Sequence, residues 1–452
     1  VFRRIKDKDS YSKALQSGLK DWESQLSPYM SKANIEDAVT KLALLMKSVK
    51  EAHCSSSKLL VRAGSPPWWG ENLDRLRKQV RKAQRRSTMT KSTADWDNYK
   101  KLRNAYNKTI KRYKSEWFYK SISEEKEYGK ILRYRKPRNV DDSQPGLDVF
   151  VHHTPYQDDD GVCRMVMTLD DVQMAISEVE DAMQRAWSYI LKKKDTASGL
   201  DDLRYSDIRS GGIKLWNGLT MILKAMIAGS YFPEYGKDSR MIFLPKGKNH
   251  GTPDGFRPIC MSSCITKCLE LGLVEVVRAF EKRVSPLSLV GTHLLSSHGY
   301  ALGRSTATAV NEVVSGISDM KHDHSCVAVL SVDMKGAFNG ASHVSICDAV
   351  RSITGSSALA NVVGGYLHGR RCHYKGKIRR CMTKGGTPQG GVLSPVIYRL
   401  FHTKVMNIPQ TAVRDGILVR VVSYADDMII LVAAEDENDL AQAIRDIVSA
   451  LE

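Results

Sequence analysis

Two adjacent aspartates, Asp426 and Asp427, lie near the junction of two apolar runs, Val419–Val422 and Met428–Val432. The runs predict two buried β-strands joined by a short turn, so both carboxylates would stand at the tip of a hairpin. An ionised aspartate beside a core is costly unless a cation holds it. Mg²⁺ suits the position because it takes hard oxygen ligands, usually one or two carboxylates together with substrate phosphates. The pattern alone is also that of an ordinary turn, since aspartate favours turns.

Two upstream segments could complete such a site. Asp333 follows the apolar run Val327–Val332, which places it at the end of another predicted buried strand. A glycine-rich turn over residues 385–395 contains Gln389 and leads into the helix-like stretch Val396–Phe401. Its glycines allow close approach of the backbone and unusual backbone angles. The sequence itself does not show that Asp333 meets the aspartates of the hairpin.

The order of three motifs resembles the palm of a reverse transcriptase: D-x-x-x-A-F at residues 333–338, G-x-P-Q-G-x-x-x-S-P at 386–395 and Y-A-D-D at 424–427. The resemblance implies an α+β right-hand polymerase, with fingers and a palm built on a ferredoxin-like sheet. It also implies that two divalent ions, Mg²⁺ or Mn²⁺ in its place, assist nucleotidyl transfer. Asp333 and Asp426 would bridge both ions, and Asp427 would support them.

The resemblance assigns further residues that would hold the incoming nucleotide. Lys246 and Arg257 flank a loop that looks like the fingers hairpin, and both would clamp the triphosphate, arginine by bidentate contact and lysine as a point charge. Ala337 and Phe338 match the residues beside the nucleotide sugar, where a bulky ring would exclude a ribose 2′-hydroxyl. Without the resemblance, Phe338 is also consistent with a core residue. Gln389 matches the residue beneath the incoming base and the template.

The chain is strongly basic, with a net charge of +18 and a pI of about 9.4, which calls for an anionic partner such as nucleic acid. Residues 71–120 hold 16 Lys or Arg against 5 Asp or Glu. Their apolar and aromatic residues recur at helical spacing, which predicts two long antiparallel helices across a turn near Ser87–Ser92. This segment resembles the region between endonuclease and polymerase in arthropod, Jockey-like non-LTR (LINE-type) retrotransposons. The residues expected to contact nucleic acid are Arg77, Arg81, Lys82, Arg85, Arg86 and, in a further match to the family at Gly303–Thr306, Arg304.

The length of 452 residues exceeds one ordinary domain. An amphipathic helix is expected within residues 31–50, and polar turns within 139–166 indicate a linker. We expect a fragment of a longer reading frame with its thumb missing, because Val1 is not an initiator methionine and the chain ends 452 − 427 = 25 residues after Asp427. The expected domains are an upstream tail and linker (1–66), a basic helical extension (67–140), a polar linker (141–166), fingers with the start of the palm (167–325) and a truncated palm (326–452).

Nine cysteines without a secretory signal indicate reduced thiols. Cys260, Cys264 and Cys268 recur every four residues, so they would line one helix face, and we expect small buried hydrophobes rather than metal ligands. No apolar run is long enough to span a membrane. By resemblance the protein would act in the nucleus or in a cytoplasmic ribonucleoprotein and would not be secreted. Its oligomeric state stays open.

The leading interpretation is an RNA-directed DNA polymerase of a non-LTR retrotransposon, which would extend a DNA primer at target DNA, from dNTPs, on an RNA template. A group II intron-type reverse transcriptase shares the Y-A-D-D and P-Q-G motifs but not the long basic segment. An RNA-dependent RNA polymerase usually carries Gly-Asp-Asp instead. A decayed or domesticated element that only binds RNA also stays open, because Leu200, Asp202 and Asn339 depart from the family pattern.

Overall fold

The computed structural model describes residues 5, 7–54, 69–123, 148–150, 165–246, 253–284, 288–334, 340–381 and 385–452. The chain divides into two compact units. The smaller unit takes residues 1–2 and 56–144, and the larger unit takes residues 3–55 and 145–452. The larger unit is therefore built from two stretches of chain that lie on either side of residues 56–144 in the sequence.

The described residues form helices and two sheets, as expected for an α+β protein. In chain order the elements are α1 (Lys8–Glu23), α2 (Lys32–His53), α3 (Glu71–Thr90), α4 (Thr93–Ser123), α5 (Leu169–Ser177), α6 (Val179–Lys192), α7 (Tyr205–Ala228), β1 (Asp238–Pro245), β2 (Phe256–Met261), α8 (Cys264–Glu281), α9 (Leu289–Ser296), α10 (Thr306–Asp323), β3 (Cys326–Asp333), α11 (His343–Thr354), α12 (Ser357–Leu367), β4 (Arg371–Tyr374), β5 (Lys377–Arg380), α13 (Ser394–Ala412), β6 (Leu418–Tyr424), β7 (Asp427–Ala434) and α14 (Glu437–Leu451). One sheet has the strand order β2-β1-β4-β5 and the other β3-β7-β6. No helix in the described stretches is both long and apolar enough to cross a membrane.

The smaller unit is described through a pair of packed helices, α3 and α4. Lys91 adopts a left-handed backbone angle, with φ of 50°, in the short connection between them. Val80, Ala83 and Tyr99 form a small apolar core between the two helices. The predicted helix pair and its turn are confirmed, because each apolar stripe covers the other and leaves the basic residues outside.

Helices α1 and α2 belong to the main core of the larger unit. Tyr11 and Leu219 of α7 are fully buried in one hydrophobic cluster. The Lys50 ammonium lies 2.6 Å from the Asp207 carboxylate near the start of α7, and the Tyr11 hydroxyl donates to the same carboxylate at 3.2 Å. The expected helix within residues 31–50 is confirmed as α2. Residues 1–66 were expected as a tail and linker, but the described part forms two helices whose apolar faces cover α7.

The four-stranded sheet begins with a hairpin of β1 and β2, which pair antiparallel with Leu244 opposite Arg257. β4 joins β1 in parallel and pairs antiparallel with β5. Phe243, Cys260 and Tyr374 belong to the apolar cluster on the buried face of this sheet. Burial along β1 is lost towards its end, where Leu244 and Pro245 are exposed.

The three cysteines expected on one helix face lie in two different elements. Cys260 belongs to β2, whereas Cys264 and Cys268 belong to α8. The expectation of a shared helix face was wrong for Cys260, because Ser263 caps α8 and ends the extended segment that precedes it. All three thiols are free and buried, which confirms their expected role as small buried hydrophobes.

The three-stranded sheet is antiparallel throughout, with β7 as its central strand. Successive residues of β7 face opposite sides: Ile430 packs with Met406 of α13 and Ile447 of α14, whereas Leu431 packs with Met320 of α10. A sheet buried on both faces has continuous apolar strands, which explains why the runs beside the aspartates do not alternate. The predicted hairpin of β6 and β7 is confirmed.

Candidate active site

Three carboxylates come together at one end of the three-stranded sheet. β3 and β7 pair along their whole length, and the last pair sets Asp333 opposite Asp427. Asp426 lies in the two-residue turn between β6 and β7. Side chains directly opposite on neighbouring strands share a face, with Cβ atoms about 5 Å apart. The register therefore sets Asp427, not Asp426, opposite Asp333, because residues 425 and 426 form the turn itself.

The acid cluster, defined as Asp333, Asp426 and Asp427, has no cation of its own among the described residues, where no salt bridge reaches any of the three. Asp333 and Asp427 are exposed, and Asp426 is half-buried. Like charges opposite each other destabilise a sheet, so this end of the sheet favours a bound cation. Within the described part of the chain, no group of three or more His, Cys, Asp or Glu is arranged to hold a metal ion by itself. Exposed carboxylate oxygens do suit Mg²⁺, which completes its shell with waters and substrate phosphates.

The turn that carries Asp426 is pressed against the main chain of residues 298–299. Ala425 has a φ of 60°, a left-handed angle that favours glycine. A Cβ added to Gly299 would lie 2.0 Å from the Ala425 nitrogen, so only glycine fits there. The His298 N–H donates to the Ser423 carbonyl at 2.8 Å. These contacts fix where the hairpin tip stands.

The side chain of His298 is fully enclosed and locked by α10. Its Nδ1 lies 2.7 Å from Thr308 Oγ1, and its Nε2 lies 2.8 Å from Glu312 Oε2. A ring held at both nitrogens has one orientation, and its main chain then supports the hairpin. The stretch around His298 resembles the family, but His298 itself was not predictable, because a single histidine carries no local signal of its partners.

Three aromatic side chains lie close enough to Asp426 to respond to its charge. Burial raises the pKa of Tyr300 and of Tyr398, and the charge of Asp426 raises both further. Burial lowers the pKa of His402 to about 4, against the effect of Asp426, so this imidazole is neutral at neutral pH. The Tyr398 hydroxyl lies 3.7 Å from Met334 Sδ, at the end of β3. Tyr398 and His402 were not among the predicted site residues; their spacing of four residues on α13 was the available signal.

The turn that carries Gln389 is held by main-chain hydrogen bonds from two sides. The Cys260 N–H of β2 donates to the Gln389 carbonyl at 2.7 Å, and the Gly386 N–H donates to the Ala341 carbonyl at 2.7 Å. Gly390 has a φ of 109°, and a Cβ there would lie 2.7 Å from the Cys260 carbonyl oxygen. The side-chain Oε1 of Gln389 is buried and has no hydrogen-bond partner in the described residues.

Lys246 and Arg257 are exposed at the loop end of the β1–β2 hairpin. The Lys246 N–H donates to the Gly255 carbonyl at 2.7 Å, which continues the pairing of the two strands. Leu244 is directly opposite Arg257, and Lys246 lies two residues beyond Leu244. Side chains alternate along a strand, so Lys246 and Arg257 project from one face of the hairpin. Three positions named in the sequence analysis, Ala337, Phe338 and Asn339, lie outside the described residues.

Some of the residues predicted to contact nucleic acid already pair with other side chains of the protein, and others are exposed. Arg77 is half-buried: it bonds to Asp74 at 2.8 Å, and its guanidinium lies 5.2 Å from the centre of the Trp69 ring. Arg304, in the larger unit, lies 3.9 Å from Glu312 and lines a groove of about 540 Å³. Both arginines therefore have protein partners. Arg81, Lys82, Arg85 and Arg86 are exposed on α3, and of these four Arg86 pairs with Asp95 at 3.1 Å.

A carboxylate cluster at the end of an antiparallel sheet can hold the divalent ions that assist nucleotidyl transfer. The family described as reverse transcriptase (RNA-dependent DNA polymerase) matches residues 244–452. This range includes the acid cluster, Arg257 and Gln389. The three motifs all lie within the matched range, which confirms their resemblance to a reverse transcriptase.

Relatives among known proteins come from non-LTR retrotransposons. The chain is 24% identical over 280 residues to the probable RNA-directed DNA polymerase from transposon BS of Drosophila melanogaster, covering 60% of this chain and 30% of that protein. It is 25% identical over 233 residues to the probable RNA-directed DNA polymerase from transposon X-element of the same species, covering 50% and 24%. It is 24% identical over 241 residues to the RNA-directed DNA polymerase from mobile element jockey of Drosophila funebris, covering 52% and 25%. The chain thus spans less than a third of the length of these relatives.

Proposed function

We propose that the chain is an RNA-directed DNA polymerase of the non-LTR retrotransposon type. It would extend a DNA primer at target DNA, from dNTPs, on an RNA template. The observation that carries the proposal is the register that sets Asp333 opposite Asp427, with Asp426 in the adjoining turn. The relatives named as RNA-directed DNA polymerases support it over a module that only binds RNA.

The acid cluster is the proposed site of two divalent ions, Mg²⁺ or Mn²⁺. Bound there, such ions would activate the primer 3′-oxygen and shield the departing pyrophosphate. Asp333 and Asp426 would hold both ions, and Asp427 would support them. The complete strand pairing and the tight turn hold the main chain of these residues, which supports a site that needs little reorganisation when the nucleotide arrives.

Five positions are proposed to hold the incoming nucleotide. Lys246 and Arg257 would bind its triphosphate, as their exposure and their common face on the hairpin support. Gln389 would meet the incoming base or the template, as its place in the P-Q-G motif implies. Ala337 and Phe338 would border the sugar, and the bulk of Phe338 would exclude a 2′-hydroxyl.

The larger unit is proposed to comprise the fingers and the palm, with the palm beginning near residue 326. Because α1 and α2 cover α7, they would support the fingers rather than form an upstream tail. The basic helix pair would hold phosphate backbone through Arg81, Lys82 and Arg85. Arg304 of the larger unit would contact phosphate backbone independently of that pair. Nuclear action, or action in a cytoplasmic ribonucleoprotein, belongs to the same proposal.

Primer extension tests the proposal directly. The 452-residue chain is incubated with an RNA template, an annealed DNA primer, dNTPs and Mg²⁺, beside Asp426→Asn and the exposed control Asp415→Asn. We expect extension by the wild type and the control, and none by Asp426→Asn. If no variant extends the primer while all bind RNA with steep salt dependence, the protein is an RNA-binding module instead.

A further inference from the structure

A buried carboxylate stands behind the turn that carries Gln389. Glu270, on α8, is 0% exposed. Its Oε2 accepts hydrogen bonds from the main-chain N–H groups of Val392 and Leu393, the latter at 3.1 Å. Helix α13 begins at the next residue, and Leu393 offers it no capping side chain. The Glu270 carboxylate therefore caps α13 from a different helix, where negative charge is favoured.

Two hydroxyl groups extend this contact to the other end of the turn. The Tyr366 hydroxyl lies 3.4 Å from Glu270 Oε2 and 3.1 Å from Ser394 Oγ. The Ser394 hydroxyl donates to the Pro388 carbonyl at 2.8 Å. A Cβ on Gly391 would lie 2.3 Å from the Tyr366 oxygen, so the turn wraps closely around this hydroxyl. Residues 388–394 thus close on themselves around Glu270.

A buried arginine offsets the charge of Glu270. Burial raises the pKa of Glu270, while the Arg370 charge and the two N–H donors act to lower it. The Arg370 guanidinium lies 4.7 Å from the centre of the Tyr366 ring and donates to the Tyr366 carbonyl at 2.9 Å. A buried charge is costly, and replacing a buried ion pair by apolar side chains of similar volume often leaves stability unchanged or raises it. Stability alone therefore gives a weak reason for this arrangement.

The geometry points to Glu270 as a positioning residue, which holds residues 388–394 so that Gln389 faces the incoming dNTP and its template base. The second anchor of the turn is the bond from Cys260 to the Gln389 carbonyl, and Cys260 lies three residues after Arg257 on β2. The two anchors together hold the turn against β2, the strand that would bind the triphosphate. This inference rests on the function proposed above, because it assigns Gln389 a role in that reaction.

The chain offers a matched control on the same pair of helices. Glu281, at the end of α8, forms a largely buried salt bridge with Arg399 of α13. Replacing either glutamate by alanine removes a buried acid that joins α8 to α13. Of these two glutamates only Glu270 contacts the turn. The two variants therefore separate an effect on the position of the turn from an effect on the packing of α8 against α13.

The test uses the full chain in four forms: wild type, Glu270→Ala, Glu270→Gln and Glu281→Ala. Hydrogen exchange of peptides that cover residues 388–394, and kcat and KM for single-nucleotide addition, are measured on each. We expect Glu270→Ala to speed exchange in this segment about tenfold and to raise the KM for dNTP about tenfold, with a smaller change in kcat. Glu270→Gln should recover part of both losses, because its amide oxygen still accepts hydrogen bonds.

Glu281→Ala should lower the melting temperature about as much as Glu270→Ala does. It should leave the exchange of residues 388–394 and the KM for dNTP near the wild-type values. Equal effects of the two alanine variants, or unchanged exchange in Glu270→Ala, would overturn the inference. If Glu270→Ala does not fold, the comparison of Glu270→Gln with Glu281→Ala decides in the same way. If even the wild type does not extend a primer, the proposed polymerase fails, while the exchange measurement still judges whether Glu270 anchors the turn.

Discussion

The acid cluster and the basic helix pair are both densely charged, but they are built in opposite ways. Asp333 and Asp427 stand on fully paired strands with an apolar core on each face of the sheet. The cations of α3 stand on an exposed helix surface over a small core. Chemistry at a metal ion needs atoms at fixed distances, whereas phosphate backbone is bound by charge with little demand on geometry. Substitutions should therefore be severe and position-specific in the first region, and small and interchangeable in the second.

The largest effect is expected at the acid cluster itself. Asp333→Asn should slow primer extension roughly 10³-fold or more, because the amide lacks the charge that a divalent ion requires. The melting temperature should stay or rise, since repulsion with Asp427 is relieved. Single-turnover extension in Mg²⁺ measures the loss, with Asp323→Asn at the exposed end of α10 as control. A wild-type rate for Asp333→Asn would show that the acid cluster does not take part in the reaction.

A smaller but still severe effect is expected where the hairpin tip is supported. Gly299→Ala places a Cβ 2.0 Å from the Ala425 nitrogen, so the turn with Asp426 must move. A displacement of about 1 Å can cost roughly 100-fold in rate. Extension rate and melting temperature are measured beside Gly70→Ala, where an added Cβ meets no atom within 4 Å. Retention of full activity by Gly299→Ala would mean that the site tolerates a looser tip than the sheet register suggests.

An intermediate effect is expected at the β1–β2 hairpin, which is exposed yet aimed by strand pairing. Arg257→Ala should raise the KM for dNTP about tenfold, because a charge-assisted contact with phosphate is lost, and should change kcat less. Arg257→Lys should recover part of the loss, since a point charge remains. Lys377→Ala, exposed on β5 of the same sheet, is the control. An unchanged KM for Arg257→Ala would remove this residue from the proposed nucleotide site.

The smallest effects are expected in the basic helix pair. Arg81→Ala and Arg85→Ala should each weaken RNA binding mildly and uniformly across sequences, and reduce the slope of log K against log salt by about 1. Arg77→Ala is the contrast, because Arg77 is already bound to Asp74 and Trp69 and should cost stability rather than affinity. Filter binding at several salt concentrations measures the affinity and the salt slope, and thermal melting measures the stability. A loss as large as that of the acid-cluster variants would show that α3 makes a specific contact.

Elements defined by short-range patterns were predictable from the sequence. The apolar runs beside Asp333 and Asp427 indicated strands, and the aromatic and apolar spacing of residues 71–120 indicated a helix pair. Both inferences depend on residues a few positions apart. The placement of α1 and α2 was not predictable in this way, because Lys50 and its partner Asp207 are 157 residues apart.

The sequence by itself determined the chemistry at hand: carboxylates at the tip of a hairpin and the end of a strand, a glycine-rich turn with Gln389, and an excess of basic side chains. Only the tertiary structure decided which of these residues lie opposite each other and what holds their main chain. The pairing of Asp333 with Asp427, the contact of Gly299 with the turn, and the capping of α13 by Glu270 all join distant parts of the chain. Strand register and helix packing are set by burial between such distant residues, and no local pattern of residue types encodes it.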